Sequence, residues 1–241
     1  MATYAIADLH GRYDLWEKVK KYLHDEDTLI CLGDCIDRGP DGIEIVNEMR
    51  QRPHTIYLKG NHEDMAATAL YNLLGIKGYF DKGNLWFCNG GYPTYESLEI
   101  LSEEKQLEYA NYFKKLPLEY TYVNKAGEVV MLNHAGFTPG EDRDLLWDRS
   151  SFHDFWPYIL KVKIIHGHTP VQYLEFDYGY DGNYPERSMN PEDAFDKWDA
   201  HAIWYCGGHK CDIDLGSAGS NKTMLLDLDS WEEIYFEVIG E

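Results

Sequence analysis

The sequence predicts an α/β fold that turns α+β in its second half, within one domain over residues 1–241. Three observations carry this. Strand-like and helix-like segments alternate through the first third. The later chain is richer in strands and holds a hairpin. Polar clusters stand at the ends of several apolar runs of strand length. An apolar content of 44% suffices for a sizeable buried core.

Thr3 to Ala7 reads as a strand, and Leu15 to Leu23 as a helix with Leu15, Val19, Tyr22 and Leu23 on one side. Thr28 to Leu32 is the next strand, Gly42 to Met49 a helix, His54 to Leu58 a strand and Asp64 to Leu74 a helix. Such a rhythm implies a largely parallel sheet whose ligands lie beyond the carboxyl ends of its strands. Glu103 to Lys115 is the next helix. Leu118 to Val123 and Val129 to Asn133 form a hairpin around Asn124-Lys125-Ala126-Gly127. Lys163 to Ile165, Met224 to Leu228 and Trp231 to Val238 complete a second half with more antiparallel character. At about 171–211 the sequence turns rich in Tyr, Asp, Gly, Pro and Trp with weak periodicity, which predicts a long surface excursion.

A formal charge of -20 disfavours nucleic acid and anionic membranes as partners, because Lys and Arg supply most of such affinity. No stretch approaches the roughly 20 apolar residues of a membrane span. The five scattered cysteines suit a reducing compartment better than a disulfide framework. A cytoplasmic location is the expectation.

The polar clusters are Asp8-Leu9-His10, Gly33-Asp34-Cys35-Ile36-Asp37-Arg38-Gly39, Gly60-Asn61-His62-Glu63, His134-Ala135-Gly136, Trp147-Asp148-Arg149 and Gly167-His168-Thr169. Singly, Asp8, Asp34 and Asn61 are ordinary turn formers or helix caps. Hard oxygen donors mixed with imidazoles, with no thiolate in a ligand position, instead suit a pair of divalent ions such as Mn, Fe, Co or Zn. His201, Cys206, His209 and Cys211 match no strong zinc spacing and read as ordinary loop residues. His166 reads as a supporting or core residue.

Taken together the clusters resemble those of the calcineurin-like metallophosphoesterases, and more closely the phosphoprotein phosphatase branch that includes bacteriophage lambda phosphatase and bacterial serine/threonine phosphatases. The resemblance implies a four-layer αββα sandwich of two mixed sheets flanked by helices. It implies that Asp8 and His10 bind one metal ion, that Asp34 bridges two, and that Asn61, His134 and His168 hold the second, Mn being favoured. Arg38 and Arg149 would grip the substrate phosphate, with Asn61 and His62 beside it. His62, supported by Asp37, would protonate the leaving oxygen. Trp86, Asn89, Gly90, Gly91 and Thr94 resemble a segment that packs near the active site in these relatives. Asp214-Leu215-Gly216-Ser217-Ala218 departs from the more usual Asp-Thr-Gly-Ala.

Such a site fits the chemistry of a phosphate monoester, whose hydrolysis is among the slowest uncatalysed reactions and needs both a strong nucleophile and stabilised charge. A hydroxide shared by the two ions would be that nucleophile. The guanidinium forks of Arg38 and Arg149 match phosphate oxygens in a way that lysine does not. The expected activity is a binuclear metal-dependent phosphomonoesterase acting on phosphoserine or phosphothreonine in proteins, or on a small phosphoester. Its rivals are hydrolysis of diadenosine tetraphosphate and a binding module that keeps the fold without the chemistry. Acid at Asp37 favours the phosphatase, since the tetraphosphatase relatives commonly lack it.

Overall fold

The computed structural model describes residues 1–78, 85–137, 144–149, 152, 162–174 and 200–239. Its first sheet joins β1 (Thr3–Ile6), β2 (Thr28–Cys31) and β3 (Thr55–Tyr57) in parallel, in the order the β-α-β-α-β reading predicts. Two late strands, β9 (Lys222–Asp227) and β10 (Glu233–Glu237), extend it antiparallel on the far side of β1, giving the order β10-β9-β1-β2-β3. The second sheet runs β4-β5-β6-β8-β7, from β4 (Glu119–Val123), β5 (Val129–Asn133), β6 (Val162–His166), β7 (Ile203–Tyr205) and β8 (Lys210–Asp212). Its outer pairs are antiparallel while β5, β6 and β8 run parallel, so both sheets are mixed.

Period-two alternation decides which side chains meet. Tyr4, Ile6, Leu29 and Cys31 face the helices α1 (Tyr13–Tyr22), α2 (Gly42–Gln51), α3 (Asn61–Leu73) and α6 (Glu103–Lys115). Their neighbours Ala5, Ala7, Ile30 and Leu32 face Val130, Leu132, Ile165 and Cys211 of the second sheet. Each fully buried aliphatic side chain in these cores contributes about 1.5–3 kcal/mol. Mixed sheets flanked by helices are therefore present as expected, and the described residues carry the helix–sheet–sheet order of the layers. No helix among them is long and apolar enough to cross a membrane.

Three local differences from the sequence reading have physical causes. Helix α3 begins at Asn61 rather than Asp64, because the Glu63 carboxylate reaches back to accept the Gly60 N–H at 2.9 Å and closes the first turn. Two helices that the periodicity did not reveal, α4 (Leu85–Cys88) and α5 (Tyr92–Glu99), are too short to display a 3.6-residue repeat, though Pro93 marks the start of the second. The excursion over 171–211 is narrower than predicted. Val171–Tyr173 forms a 3-10 turn, Ile203–Tyr205 and Lys210–Asp212 are strands of the second sheet, and residues 175–199 lie outside the described ones.

Candidate metal centre and phosphate site

Five loops at the carboxyl ends of strands deliver the predicted residues to one place. Asp8 and His10 follow β1, Asp34, Asp37 and Arg38 follow β2, Asn61 and His62 open α3 after β3, His134 follows β5, and His168 follows β6. All but the exposed Arg38 are buried. Asp34 stands at the centre. Its Oδ2 lies 3.4 Å from His134 Nε2 and 3.8 Å from both His10 Nε2 and His62 Nε2. Two metal-capable groups share it: His10, Asp34 and His62 on one side, and Asp34, His134 and His168 on the other.

Glycines make this convergence sterically feasible. A Cβ on Gly60 would sit 1.9 Å from Asp34 Oδ1, and one on Gly167 would sit 2.0 Å from Asp8 Oδ2. The loops themselves are strained: Asp8, His10, Asp34, Asp37, Arg38 and His168 all have φ between 43° and 75°, a left-handed region that side chains occupy at a cost of about 1–2 kcal/mol each. Backbone bonds between the first two loops, such as His10 N–H to Asp34 O at 2.9 Å and Gly11 N–H to Cys35 O at 2.8 Å, hold that strain in place.

The donor set fits two cations. His10 donates its Nδ1–H to Ile36 O and His134 donates its own to Leu32 O, each at 3.0 Å, so both Nε2 atoms carry lone pairs aimed inward. His134 Nε2 lies 2.8 Å from Asn61 Oδ1, and His168 Nδ1 lies 3.2 Å from both. Three potential ligand atoms thus crowd together, an arrangement that a cation relieves. Asp8 Oδ1 is buried with no hydrogen-bond partner, 4.0 Å from His10 Nε2.

Proton affinities show the same crowding. Burial, reinforced by Asp214 and Asp34, pushes the Asp8 carboxyl well above the usual carboxylate range. Burial, with Arg38 and His62 nearby, holds His10 well below the usual imidazole range. At Asp34 burial acts upward but is outweighed by His134, His62 and His10, which hold it well below its ordinary value. At His134 burial acts downward and Asp34 outweighs it. His168 is held well below by burial and by His134.

A cavity of about 570 Å³ opens beside these groups and is lined by Arg38, His62, Asn89, Trp147, Arg149 and His168 among others. Arg38 reaches His10 Nε2 at 2.8 Å and His62 Nε2 at 3.2 Å. His62 Nδ1 is bonded to Asp37 Oδ2 at 2.6 Å, so its Nε2 is the nitrogen turned toward Arg38 and the cavity. Every predicted site residue is therefore brought to the cavity or to the ligand cluster behind it.

Two contributors carried no assigned role in the sequence reading. Glu63 accepts from the backbone N–H groups of Asp34, Cys35 and Gly60 and from Tyr57 O–H, pinning the central loop to α3. Its place at the third position of a helix was the available signal. Asp214, raised to about 6 by burial against the opposing pull of Gly216 N–H and Arg38, stands near Asp8 and Asp34. His166 is a core residue that accepts from Tyr205 O–H at 2.6 Å. Cys211 is buried in β8, and the metal-capable groups among the described residues include none of His201, Cys206, His209 or Cys211.

A family model described as calcineurin-like phosphoesterase matches residues 1–211. The chain is 30% identical over 158 residues to serine/threonine-protein phosphatase 2 of Salmonella typhimurium, covering 61% of this chain and 67% of that protein. It is also 30% identical over 146 residues to the symmetrical bis(5'-nucleosyl)-tetraphosphatase of Proteus mirabilis, covering 59% of this chain and 47% of that protein. Its fold is similar to that of a serine/threonine phosphatase from Saccharomyces cerevisiae, with a TM-score of 0.58 at 14% identity, across 100% of this chain and 81% of the other.

Proposed function

We propose a reaction for this chain, which belongs to the calcineurin-like phosphoesterase family: metal-dependent hydrolysis of phosphate monoesters, with phosphoserine and phosphothreonine in proteins as substrates. The observation that carries the reading is the Asp37–His62 pair. It turns an imidazole nitrogen into the cavity beside Arg38 without spending it on a hydrogen bond to Asp37. Asp8 and His10 would hold one divalent ion and Asn61, His134 and His168 a second, with Asp34 shared; Mn, Fe, Zn and Co all suit the donor set. When bound, the ions would supply Lewis-acid charge to the phosphoryl oxygens and to water.

The chain's own groups do the rest. Arg38 and Arg149 orient the phosphate through their planar forks, in a molecule whose net charge would otherwise repel it. His62 donates a proton from Nε2 to the departing oxygen while its Nδ1–H stays on Asp37.

A second reading, hydrolysis of a dinucleoside tetraphosphate, is favoured by the equal identity to a relative of that name. Hydrolysis of a phosphoserine peptide, diadenosine tetraphosphate and p-nitrophenyl phosphate under each metal separates the two. Faster turnover of the peptide is expected. Preference for the dinucleotide would replace the first reading with the second, and no metal-stimulated hydrolysis of any of them would point to a binding module. His62→Asn should lower turnover by about 10²-fold or more on alkyl esters and much less on aryl esters with good leaving groups. Equal losses would remove His62 from the role of acid.

A further inference from the structure

Residues 85–94 clasp the Asp37–Arg38 turn from outside the ligand cluster. Asp37 and Arg38 both lie at positive φ, 70° and 66°. Each has its backbone N–H tied to this segment: Asp37 donates to Thr94 Oγ1 at 2.8 Å and Arg38 to Gly90 O at 2.8 Å. The third tie is a side-chain one. Trp86 donates its indole N–H to Asp37 Oδ2 at 2.8 Å, and this is the same oxygen that takes the His62 Nδ1 bond at 2.6 Å.

The geometry around that oxygen is asymmetric. Asp37 is fully buried and its other oxygen, Oδ1, has no hydrogen-bond partner, so the two donors on Oδ2 alone fix the twist of the carboxylate. Trp86 is itself 1% exposed. Its indole edge is backed by Gly91, where a Cβ would come within 2.5 Å of Nε1, and its ring packs against Phe87 and edge-on to Tyr95. The indole is thus closely packed on several sides with its N–H aimed at the carboxylate.

We infer that Trp86 is a positioning residue for the proton donor: its N–H holds the Asp37 carboxylate in the rotation that keeps His62 Nε2 facing the cavity. With that N–H gone, the carboxylate is free to twist toward its unpaired oxygen and the imidazole to follow it. The inference rests on the proposed role of His62 as acid. A large buried indole that merely fills the core would also lower activity when replaced, but it would do so without regard to the leaving group or to His62.

The test uses the full-length, metal-supplemented protein with Trp86→Phe, which keeps an aromatic ring and removes the N–H. Turnover is measured on a phosphoserine peptide and on p-nitrophenyl phosphate, in the wild type, W86F, H62N and the double variant. W86F should lose about tenfold on the peptide and little on the aryl ester, and it should cost nothing further in the H62N background. Equal losses on both esters while H62N still discriminates between them, or an undiminished loss in the H62N background, would overturn the inference. A downfield proton resonance from His62 Nδ1–H, assigned by its disappearance in Asp37→Asn, should move in W86F, and an unmoved resonance would likewise overturn it. If H62N itself lowers both esters equally, the acid reading falls, and the resonance alone then decides whether Trp86 orients the pair. Should W86F fail to fold, Thr94→Val should give the leaving-group-dependent loss and Thr94→Ser should restore activity; a loss blind to the leaving group would count against the clasp.

Discussion

Two kinds of tight turn in this molecule solve the same backbone problem to opposite ends. At the hairpin between β4 and β5, the buried Asn124 accepts the N–H groups of Ala126 and Glu128 through Oδ1 and donates from Nδ2 to Glu128 and Leu228. Gly127 sits there at φ 80° with nothing within 4 Å of where a Cβ would be. At the candidate site, left-handed residues carry side chains, the glycines are hemmed in, and Asp8 Oδ1, Asp37 Oδ1 and His168 Nε2 are buried without partners. A turn whose central side chain spends all its hydrogen-bonding capacity on its own chain serves stability. One that stores strain and leaves donor atoms unmet is prepared to receive a charged ligand.

The comparison is tested most severely at the shared carboxylate. Asp34→Asn should lower activity on the order of 10²–10³-fold and reduce the bound metal seen by elemental analysis on both sides of the site. Retention of two ions per chain would show that Asp34 is not shared. Gly60→Ala should cost about 10²-fold in activity by displacing Asp34, whereas Gly127→Ala should leave turnover unchanged. A fully active Gly60→Ala enzyme would erase the difference between the two turns.

Smaller effects concern stability. Burial depresses His166 to about 3 from its ordinary 6.5, so the folded chain keeps it neutral while the unfolded chain takes up a proton below about pH 6.5. Its contribution is therefore intact above that pH and is lost as the pH falls from 6.5 toward 3, amounting to about 2 kcal/mol between about pH 7 and pH 5. Urea unfolding across that range should show a slope shallower by up to one proton in His166→Gln, and an identical slope would refute the assignment. Last, Gly127→Ala should lower stability by about 1–2 kcal/mol through its left-handed φ alone, read from the urea midpoint.

Much of this was legible before any coordinates. The strands that carry Asp8, Asp34, Asn61, His134 and His168 are short apolar runs ending in turn residues, and alternation within them assigns Ala5 and Ile30 to one core and Ile6 and Leu29 to the other. Resemblance of the clusters named the ligand candidates. The brief helices α4 and α5 were too short to show a period, and the strands β7 and β8 and the reach of Glu63 into the central loop were not legible because they depend on partners distant in sequence.

By itself, then, the sequence determined the parallel core of the first sheet, the residue types offered to a metal and the strand ends from which they are offered, since hydrophobic periodicity and turn chemistry are local properties. Only the tertiary structure decided that Asp34 is common to two donor groups, that His62 turns Nε2 to the cavity, and that Trp86 and His62 meet on one oxygen of Asp37. Such facts depend on hydrogen bonds and steric fits between loops dozens of residues apart, and no local pattern encodes a distance between them.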